Sequence, residues 1–125
     1  MDKKVISTTK APGAIGPYSQ AIEVNGFIFA SGQIPIIPET GELAEGIEDQ
    51  TRQALKNVKG IMEAAGLTMA NIVKTTVFIK DMNYFGKVND VYKEFFEGDY
   101  PARSCVEAAR LPKDVLVEVE VIAAR

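Results

Sequence analysis

The chain is predicted to fold as an α+β domain in which two helices cover one face of a single mixed β-sheet. A length of 125 residues, 46% of them hydrophobic, suits one domain with one core over residues 1–125. Two segments repeat apolar residues at helical spacing. Shorter segments with alternating apolar and polar residues lie before, between and after them, as strands of one sheet would.

Three strand candidates open the chain. Lys4–Ser7 is the first, and a loop rich in Gly and Pro follows it. Ala21–Val24 and Phe27–Ser31 then flank Asn25 and Gly26, the residue pair favoured in a two-residue type I′ hairpin turn. These two segments are therefore predicted to pair as an antiparallel hairpin.

The first helix is predicted over Ile47–Ala65, where apolar residues recur on one side of a helical wheel. Gly66 follows directly, at the position where a left-handed residue commonly ends a helix. The apolar stripe comprises Ile47, Thr51, Ala54, Leu55, Val58, Ile61, Met62 and Ala65.

A strand over Ile72–Lys80 and a second helix over Asn83–Phe96 are predicted next. Asp81 or Asn83 can cap the start of this helix, and Gly98 marks a stop beyond its end. Its apolar stripe, which is expected to belong to the core, comprises Phe85, Val88, Val91, Tyr92, Phe95 and Phe96.

Two last strands, Ala102–Ala109 and Val115–Ala124, complete the order β-β-β-α-β-α-β-β. Alternate residues of a strand face opposite sides, so one face of the last strand carries valine at every second position. Both helices are expected to pack on that face. The other face keeps Leu116 and Ile122 among polar groups, and an exposed, partly apolar face indicates a partner surface. We therefore expect a homo-oligomer.

Composition excludes several kinds of chemistry. The chain has a formal net charge of −3 and its basic residues are scattered, so no nucleic-acid partner is expected. It has no histidine and one cysteine, which rules out Ser-His-Asp and Cys-His catalysis and a Cys- or His-based zinc site. No apolar run resembles a signal peptide or a membrane span. We expect a cytoplasmic protein with no membrane partner, no metal and no cofactor.

The most informative segment places charged residues on two strands that otherwise resemble core. Arg103, Cys105 and Glu107 share one face of their strand, and Glu118 and Glu120 share one face of the next. Charges in such places cost free energy unless they are paired or used. The pattern leaves two interpretations open: an edge strand kept soluble by a surface ion pair, or an anion-binding arginine beside an acid–base carboxylate.

Several segments, in matching order and covering nearly the whole chain, resemble the reactive-intermediate imine deaminase family, also called RidA/YjgF. The resemblance implies a chorismate-mutase-like fold and a homotrimer whose ligand clefts lie between neighbouring subunits. The motifs that carry it are Gly16–Ala21, Ser31–Pro35, Asn57–Lys59, Ala64–Leu67, Lys74–Phe78 and Pro101–Glu107.

The resemblance also implies roles for individual residues. Arg103 matches the arginine that holds the carboxylate of a small 2-imino or 2-amino acid; the alternative is a structural ion pair with Glu107 or Glu118. Glu118 matches the acid–base glutamate, with Glu120 as the alternative on the same face. Cys105 matches a residue that lines the site, and a lining role is favoured because no histidine or adjacent lysine lowers its pKa. Further substrate-binding positions are matched by Tyr18, Ser31, Gly32 and Asn89.

The function that the resemblance implies is hydrolytic deamination of reactive enamines and imines. Examples are 2-aminoacrylate and its tautomer 2-iminopropanoate, which would become a 2-oxo acid and ammonia, as in a 2-iminobutanoate/2-iminopropanoate deaminase. The alternative is a non-catalytic protein that binds or senses small metabolites. A third possibility, a translation inhibitor that cleaves RNA, is disfavoured by the acidic net charge and the absence of histidine.

Overall fold

The computed structural model describes residues 1–125 and contains six β-strands and two α-helices. The strands form one mixed sheet in which only the pair of Ile72–Ile79 and Ala102–Glu107 is parallel. In chain order the elements are β1 (Lys4–Ile6), β2 (Ala21–Val24), β3 (Phe27–Ala30), α1 (Ile47–Ala64), β4 (Ile72–Ile79), α2 (Phe85–Tyr92), β5 (Ala102–Glu107) and β6 (Val117–Ala124). Across the sheet the order is β1-β2-β3-β6-β4-β5, so β5 is an edge strand.

The predicted hairpin and the predicted first helix are confirmed. Val24 pairs with Phe27, and Asn25 and Gly26 both have positive φ (51° and 80°), as a type I′ turn requires. All eight stripe residues of the first helix are buried. Gly66 adopts φ 75° directly after Ala65, the C-cap residue of the helix, where a residue with a Cβ atom would be strained.

The second helix is shorter than the sequence predicts. A 3₁₀ turn at Met82–Tyr84 precedes α2, and another at Lys93–Phe95 follows it. Asp81 rather than Asn83 caps the first of these 3₁₀ turns, since its side chain accepts a hydrogen bond of 2.9 Å from the Asn83 amide, whereas α2 itself begins without a side-chain cap. The continuous helix over 83–96 was therefore wrong at both ends, where tighter 3₁₀ turns replace the α-helix, as they often do at helix termini.

Both helices pack on the valine face of the sheet, as predicted. Val117, Val119 and Val121 are buried there with Val77 of β4, in one core cluster of 22 buried residues. Burial of this apolar surface is the main source of stability. The fold class predicted from the sequence, one mixed sheet with two helices on one face, is confirmed.

The opposite face, here called the open face, is not covered within the chain. Val5 and Phe29, which both lie opposite Ile22 in the strand register, are exposed on this face. Val106 at the other end of the sheet is exposed as well. The rings of Phe27 and Phe29 lie 6.4 Å apart on this side of β3. Neither helix of the structure has the length and apolar composition needed to cross a membrane.

Candidate active site

Arg103 lies on the edge strand β5, on the face that the helices cover. Its register partner on β4 is Thr75, a fully buried residue of the valine face. The Arg103 Nη1 donates a hydrogen bond of 2.7 Å to Oδ1 of Asn89, on α2. The Cζ atom of Arg103 lies 4.8 Å from the ring centroid of Tyr92 and 5.3 Å from that of Phe85. We call Arg103, Phe85, Asn89 and Tyr92 the arginine cluster.

The structural ion pair considered for Arg103 does not form within the chain. No carboxylate oxygen lies within 4.0 Å of its guanidinium. Glu107 accepts a hydrogen bond of 2.7 Å from the Met82 amide, and Glu118 projects from the other face of the sheet. Asn89 is a neutral partner, so the guanidinium keeps a full positive charge that can attract an anion.

Cys105 is half-buried and on the same face as Arg103, two residues further along β5. Burial raises the pKa of its thiol, although the nearby Arg103 charge acts in the opposite direction. A raised pKa leaves little thiolate at neutral pH, and the thiolate is the nucleophilic form. The environment of Cys105 therefore suits a residue that lines a site better than one that attacks a substrate.

Glu118 lies on the open face, at a cleft of about 520 Å³. The cleft is formed where the Gly/Pro-rich loop after β1 and the segment after β3 meet the start of β6. Tyr18, Ser31 and Gly32, three of the predicted site residues, line it together with Glu118. We call this the Glu118 cleft; its other walls include Pro12, Gly13, Ile15, Gln33, Ile34, Ile36, Pro112 and Lys113.

Backbone pairing holds Gly32 against Glu118. The Gln33 amide donates to the Val119 carbonyl at 2.7 Å, and the Val119 amide donates to the Gln33 carbonyl at 3.1 Å. A Cβ atom on Gly32 would lie only 2.8 Å from the Glu118 carboxyl carbon, so any larger residue here would displace the Glu118 carboxylate. The neighbouring Ser31 hydroxyl donates a hydrogen bond of 2.6 Å to the Ser19 carbonyl, which leaves its oxygen free to accept.

The environment of Glu118 suits a group that gives and takes protons. Burial, and secondarily the negative charge of Glu120, raise the pKa of the Glu118 carboxyl above its ordinary value. Glu120 is exposed and faces a separate depression beside Lys74 and Ile122. The geometry therefore favours Glu118 over Glu120 as the acid–base group.

The structure does not bring Arg103 and Glu118 together within one chain. Val77 of β4 pairs with both Cys105 and Val119, and it belongs to the helix-covered core. Residues two positions apart on a strand share a face, so Arg103 lies on that covered face. Glu118, next to Val119, projects from the open face. The expectation of an arginine beside the carboxylate fails within a single chain.

Predicted site residues thus form two separate groups. Tyr18, Ser31 and Gly32 lie with Glu118, whereas Asn89 and Cys105 lie with Arg103. No group of three or more Cys, Asp and Glu side chains is arranged to hold a metal ion.

Sequence reasoning missed part of each group. Phe85 was expected to be core, but it is 37% exposed at the first residue of α2, and its ring centroid lies 5.3 Å from the Arg103 Cζ atom. Tyr92 also contacts Arg103, although it is buried as predicted. The spacing of Phe85, Asn89 and Tyr92, four and then three residues, places all three on one helix face and was the available signal. Lys113 lines the Glu118 cleft with φ 55°, which no sequence pattern indicated.

Comparisons with known proteins identify the family to which the chain belongs. The family model described as endoribonuclease L-PSP matches residues 8–125. The 2-iminobutanoate/2-iminopropanoate deaminase of Salmonella typhimurium is 55% identical over 98% of both chains. The crystal structure of Escherichia coli TdcF with bound serine has a TM-score of 0.95 at 54% identity, over 98% of both chains. YyfA of Yersinia pestis, from the conserved Rid protein family, has a TM-score of 0.97 at 56% identity, over 99% of this chain and 100% of that one. The chain belongs to the RidA/YjgF family, as its motifs predicted.

Proposed function

We propose that the protein hydrolyses reactive 2-imino acids, and the enamines from which they form, to 2-oxo acids and ammonia. The observation that carries this proposal is Glu118, a half-buried carboxyl with a raised pKa that is held against Gly32 in an open cleft. Such a group is suited to take a proton and give it back, and imine hydrolysis needs little more than a placed water and proton transfer. The name of the Salmonella relative supports the same reaction.

The chemistry balances with water as the only co-reactant. An enamine such as 2-aminoacrylate takes a proton on its methylene carbon and becomes the iminium form of 2-iminopropanoate. Water then attacks the imine carbon, forming a C–O bond, and loses a proton to Glu118. That proton passes to the nitrogen of the carbinolamine. The C–N bond then breaks while the hydroxyl group loses its proton to Glu118, so the carbonyl of pyruvate forms and ammonia leaves. Glu118 returns this second proton to ammonia, which departs as ammonium. Glu118 therefore acts first as a base and then as an acid.

Arg103 is proposed to bind the substrate carboxylate. Its guanidinium carries a planar set of donors that matches a carboxylate, and no acid within the chain neutralises it. The TdcF structure with bound serine shows that a related protein holds an amino acid. Tyr18, Ser31, Gly32, Asn89 and Cys105 are proposed to complete the substrate site.

A second subunit is needed to bring Arg103 and Glu118 together. We propose a homotrimer in which the edge strand β5 of one subunit brings its Arg103 to the Glu118 cleft of the next. The exposed apolar residues of the open face, among them Phe29 and Val106, support burial against another copy. Light scattering that gives a monomer at micromolar concentration would contradict this assembly.

Activity is tested by generating 2-aminoacrylate in the presence of the purified protein and following pyruvate release against the buffer rate. Acceleration by the wild type, and not by Glu118→Gln or Arg103→Ala, is the expected result. An equal rate with and without the wild type would overturn the proposed function and favour a metabolite-binding protein.

Mixed trimers test the inter-subunit site directly. Arg103→Ala retains Glu118, and Glu118→Gln retains Arg103, so a closed ring of three that contains both kinds of subunit has one intact site. Random mixing in equal amounts should restore about one quarter of wild-type activity, because three quarters of the trimers are mixed. No recovery on co-refolding or co-expression would show that the two residues act within one subunit or not together.

RNA cleavage is the second candidate because the family model is described as endoribonuclease L-PSP. Binding of a phosphate backbone depends on clustered Lys and Arg residues, whereas this chain has a net charge of −3 with scattered basic residues. We therefore expect no cleavage of single-stranded RNA under conditions where imine hydrolysis is measurable. Cleavage that disappears in Arg103→Ala would favour the second candidate.

A further inference from the structure

We infer that Tyr92, locked in place by Thr75, is a positioning residue that fixes the guanidinium of Arg103. This inference rests on the proposed function, since it concerns how the carboxylate-binding arginine is held. The Cζ atom of Arg103 lies 4.8 Å from the centroid of the Tyr92 ring, within the range of a cation–π interaction.

The three residues form a closed arrangement. Thr75 on β4 is the direct register partner of Arg103 on β5, so the sheet fixes these two backbones relative to each other. The Thr75 hydroxyl and the Tyr92 hydroxyl are hydrogen bonded at 2.8 Å, which ties the helix residue to the strand beside Arg103. The Tyr92 ring then contacts the arginine side chain itself. Each of the three residues therefore contacts the other two, and the Arg103 side chain is held relative to both β4 and α2.

Burial makes the hydrogen bond between Thr75 and Tyr92 hard to replace. Thr75 is 0% exposed and Tyr92 is 5% exposed, so neither hydroxyl has water as an alternative partner. A buried hydroxyl without a partner is costly, which keeps the two together and fixes the angle of the ring. Two apolar residues would fill this space without any hydrogen bond. The hydrogen bond between Thr75 and Tyr92 thus orients the Tyr92 ring, in addition to the packing that both side chains provide.

The arrangement leaves most of the Arg103 donors available. Of the five N–H groups of a guanidinium, Asn89 accepts one, and an aromatic ring binds the flat face without occupying any of them. A guanidinium group that is already oriented loses less conformational entropy when a carboxylate binds to it. Tyr92 should therefore affect the binding of substrates that carry a carboxylate, and should not affect neutral imines.

The test compares Tyr92→Leu, which removes the ring, with Phe96→Leu as a matched control. Phe96 is also buried, and its ring lies 4.8 Å from the Tyr92 ring, but it forms no cation–π contact with Arg103. Both variants lose one buried aromatic ring from the hydrophobic core. Tyr92→Leu should raise KM for 2-iminopropanoate by about two- to thirtyfold, the range expected for loss of one cation–π contact. Phe96→Leu should leave KM within about twofold even if it lowers the melting temperature equally.

Two further variants separate positioning from packing. In an Arg103→Ala background, Tyr92→Leu should cause no additional rise in KM, because the residue acts through the arginine. The double variant Thr75→Val/Tyr92→Phe keeps the ring and removes both hydroxyls, and it is expected to fold even if Tyr92→Leu does not. Its KM should lie above that of Phe96→Leu. Equal KM values in the double variant and in Phe96→Leu would mean that the hydroxyl pair contributes packing only.

A readout that needs no substrate distinguishes failure of this inference from failure of the proposed function. Nitrogen-labelled arginine gives side-chain NMR signals that are displaced when a guanidinium lies over an aromatic ring. The Arg103 signals, identified by their loss in Arg103→Lys, should move in Tyr92→Leu and stay in Phe96→Leu. A wild type without imine hydrolysis but with this displacement would refute the proposed function alone. Unchanged Arg103 signals in Tyr92→Leu would overturn the inference, whatever the activity.

Discussion

The α-carbon of Gly32 lies directly against the carboxylate of Glu118. A Cβ atom at this position would lie 2.8 Å from the carboxyl carbon and 3.1 Å from Cγ of the glutamate. The Gln33–Val119 backbone pair fixes the distance between the two backbone segments, so relief of such a contact would fall on the Glu118 side chain. The absence of a side chain at Gly32 therefore leaves the space that the carboxylate of the proposed acid–base group occupies. Gly32 has no other evident structural role, since its φ lies outside the left-handed region.

Gly32→Ala is predicted to abolish most activity while leaving the fold largely intact. The new methyl group must displace the Glu118 carboxylate, and small displacements of a reacting group cost a large part of the rate. We expect kcat/KM for 2-iminopropanoate to fall at least about a hundredfold. Gly86→Ala is the matched control, because Gly86 is exposed with nothing within 4 Å of an added Cβ atom. Equal activity in both variants would show that the position of Glu118 is not critical.

The division of roles between two neighbouring carboxylates gives the second prediction. Glu118→Gln keeps the shape of the side chain but cannot exchange a proton, so kcat should fall by about 10²–10⁴-fold. Glu120→Gln should retain most activity because Glu120 is exposed and outside the cleft. A larger loss in Glu120→Gln than in Glu118→Gln would reverse the assignment.

Thermal unfolding provides the control for these two variants. A carboxyl whose pKa in the folded state lies above its ordinary value of 4.5 opposes folding once the pH exceeds both values. Glu118→Gln should therefore melt no lower than the wild type at pH 7. A loss of activity with unchanged or increased stability separates chemistry from folding.

The pH dependence of activity gives the third prediction. Burial first, and Glu120 second, raise the pKa of Glu118, so the acidic limb of kcat/KM should have its midpoint above pH 4.5. Removing the negative charge of Glu120 makes ionisation of Glu118 easier and lowers this pKa. The limb should therefore move to lower pH in Glu120→Gln. A limb that does not move would indicate that another group controls the activity.

The sequence predicted elements and faces better than the spatial relation between faces. The valine alternation of β6 and the stripe of α1 correctly gave the core, because periodicity is a local property. The alternation of residues along a strand also assigned Arg103 and Glu118 each to one face of its own strand. Whether those faces coincide depends on pairing through β4, and register between distant strands is a tertiary property. The resemblance to a family supplied the residues of the site, but the separation of Arg103 from Glu118 came only from the sheet.

The arginine cluster shows a second limit of sequence reasoning. Tyr92 fits an apolar stripe and is buried, so its pattern is that of an ordinary core residue. Its contact with Arg103 arises because the edge strand β5 presents Arg103 on the helix-covered face, where the side chain reaches Asn89 and Tyr92 of α2. A hydrophobic pattern records which residues are buried and does not record which neighbour a ring faces.

Cys105→Ser gives the fourth prediction. Burial raises the pKa of the thiol, and the chain has no histidine to activate it, so the substitution should keep at least about a third of wild-type kcat/KM. Thiol-alkylating reagents should react slowly with the folded protein for the same reason. Complete loss of activity in a folded Cys105→Ser variant would restore the nucleophile interpretation.

The last prediction concerns the planar geometry of the Arg103 guanidinium group. Lysine keeps the positive charge but cannot make two parallel hydrogen bonds from a rigid plane, and it cannot reproduce the donor bond to Asn89 from the same position. Loss of one charge-assisted hydrogen bond costs roughly 1.5–3 kcal/mol. Arg103→Lys should therefore lower kcat/KM for 2-iminopropanoate by about ten- to a hundredfold, and Arg103→Ala should lower it further.

A neutral imine that lacks the carboxylate is the matched control substrate for these variants. It should be a poor substrate for the wild type and almost indifferent to either substitution, because the arginine has no anion to bind. Arg103 forms no ion pair within the chain, so its removal leaves no buried carboxylate without a partner and the variants should remain folded. If both variants process 2-iminopropanoate at wild-type rates, the guanidinium does not bind the substrate carboxylate, and the role proposed for Arg103 is wrong.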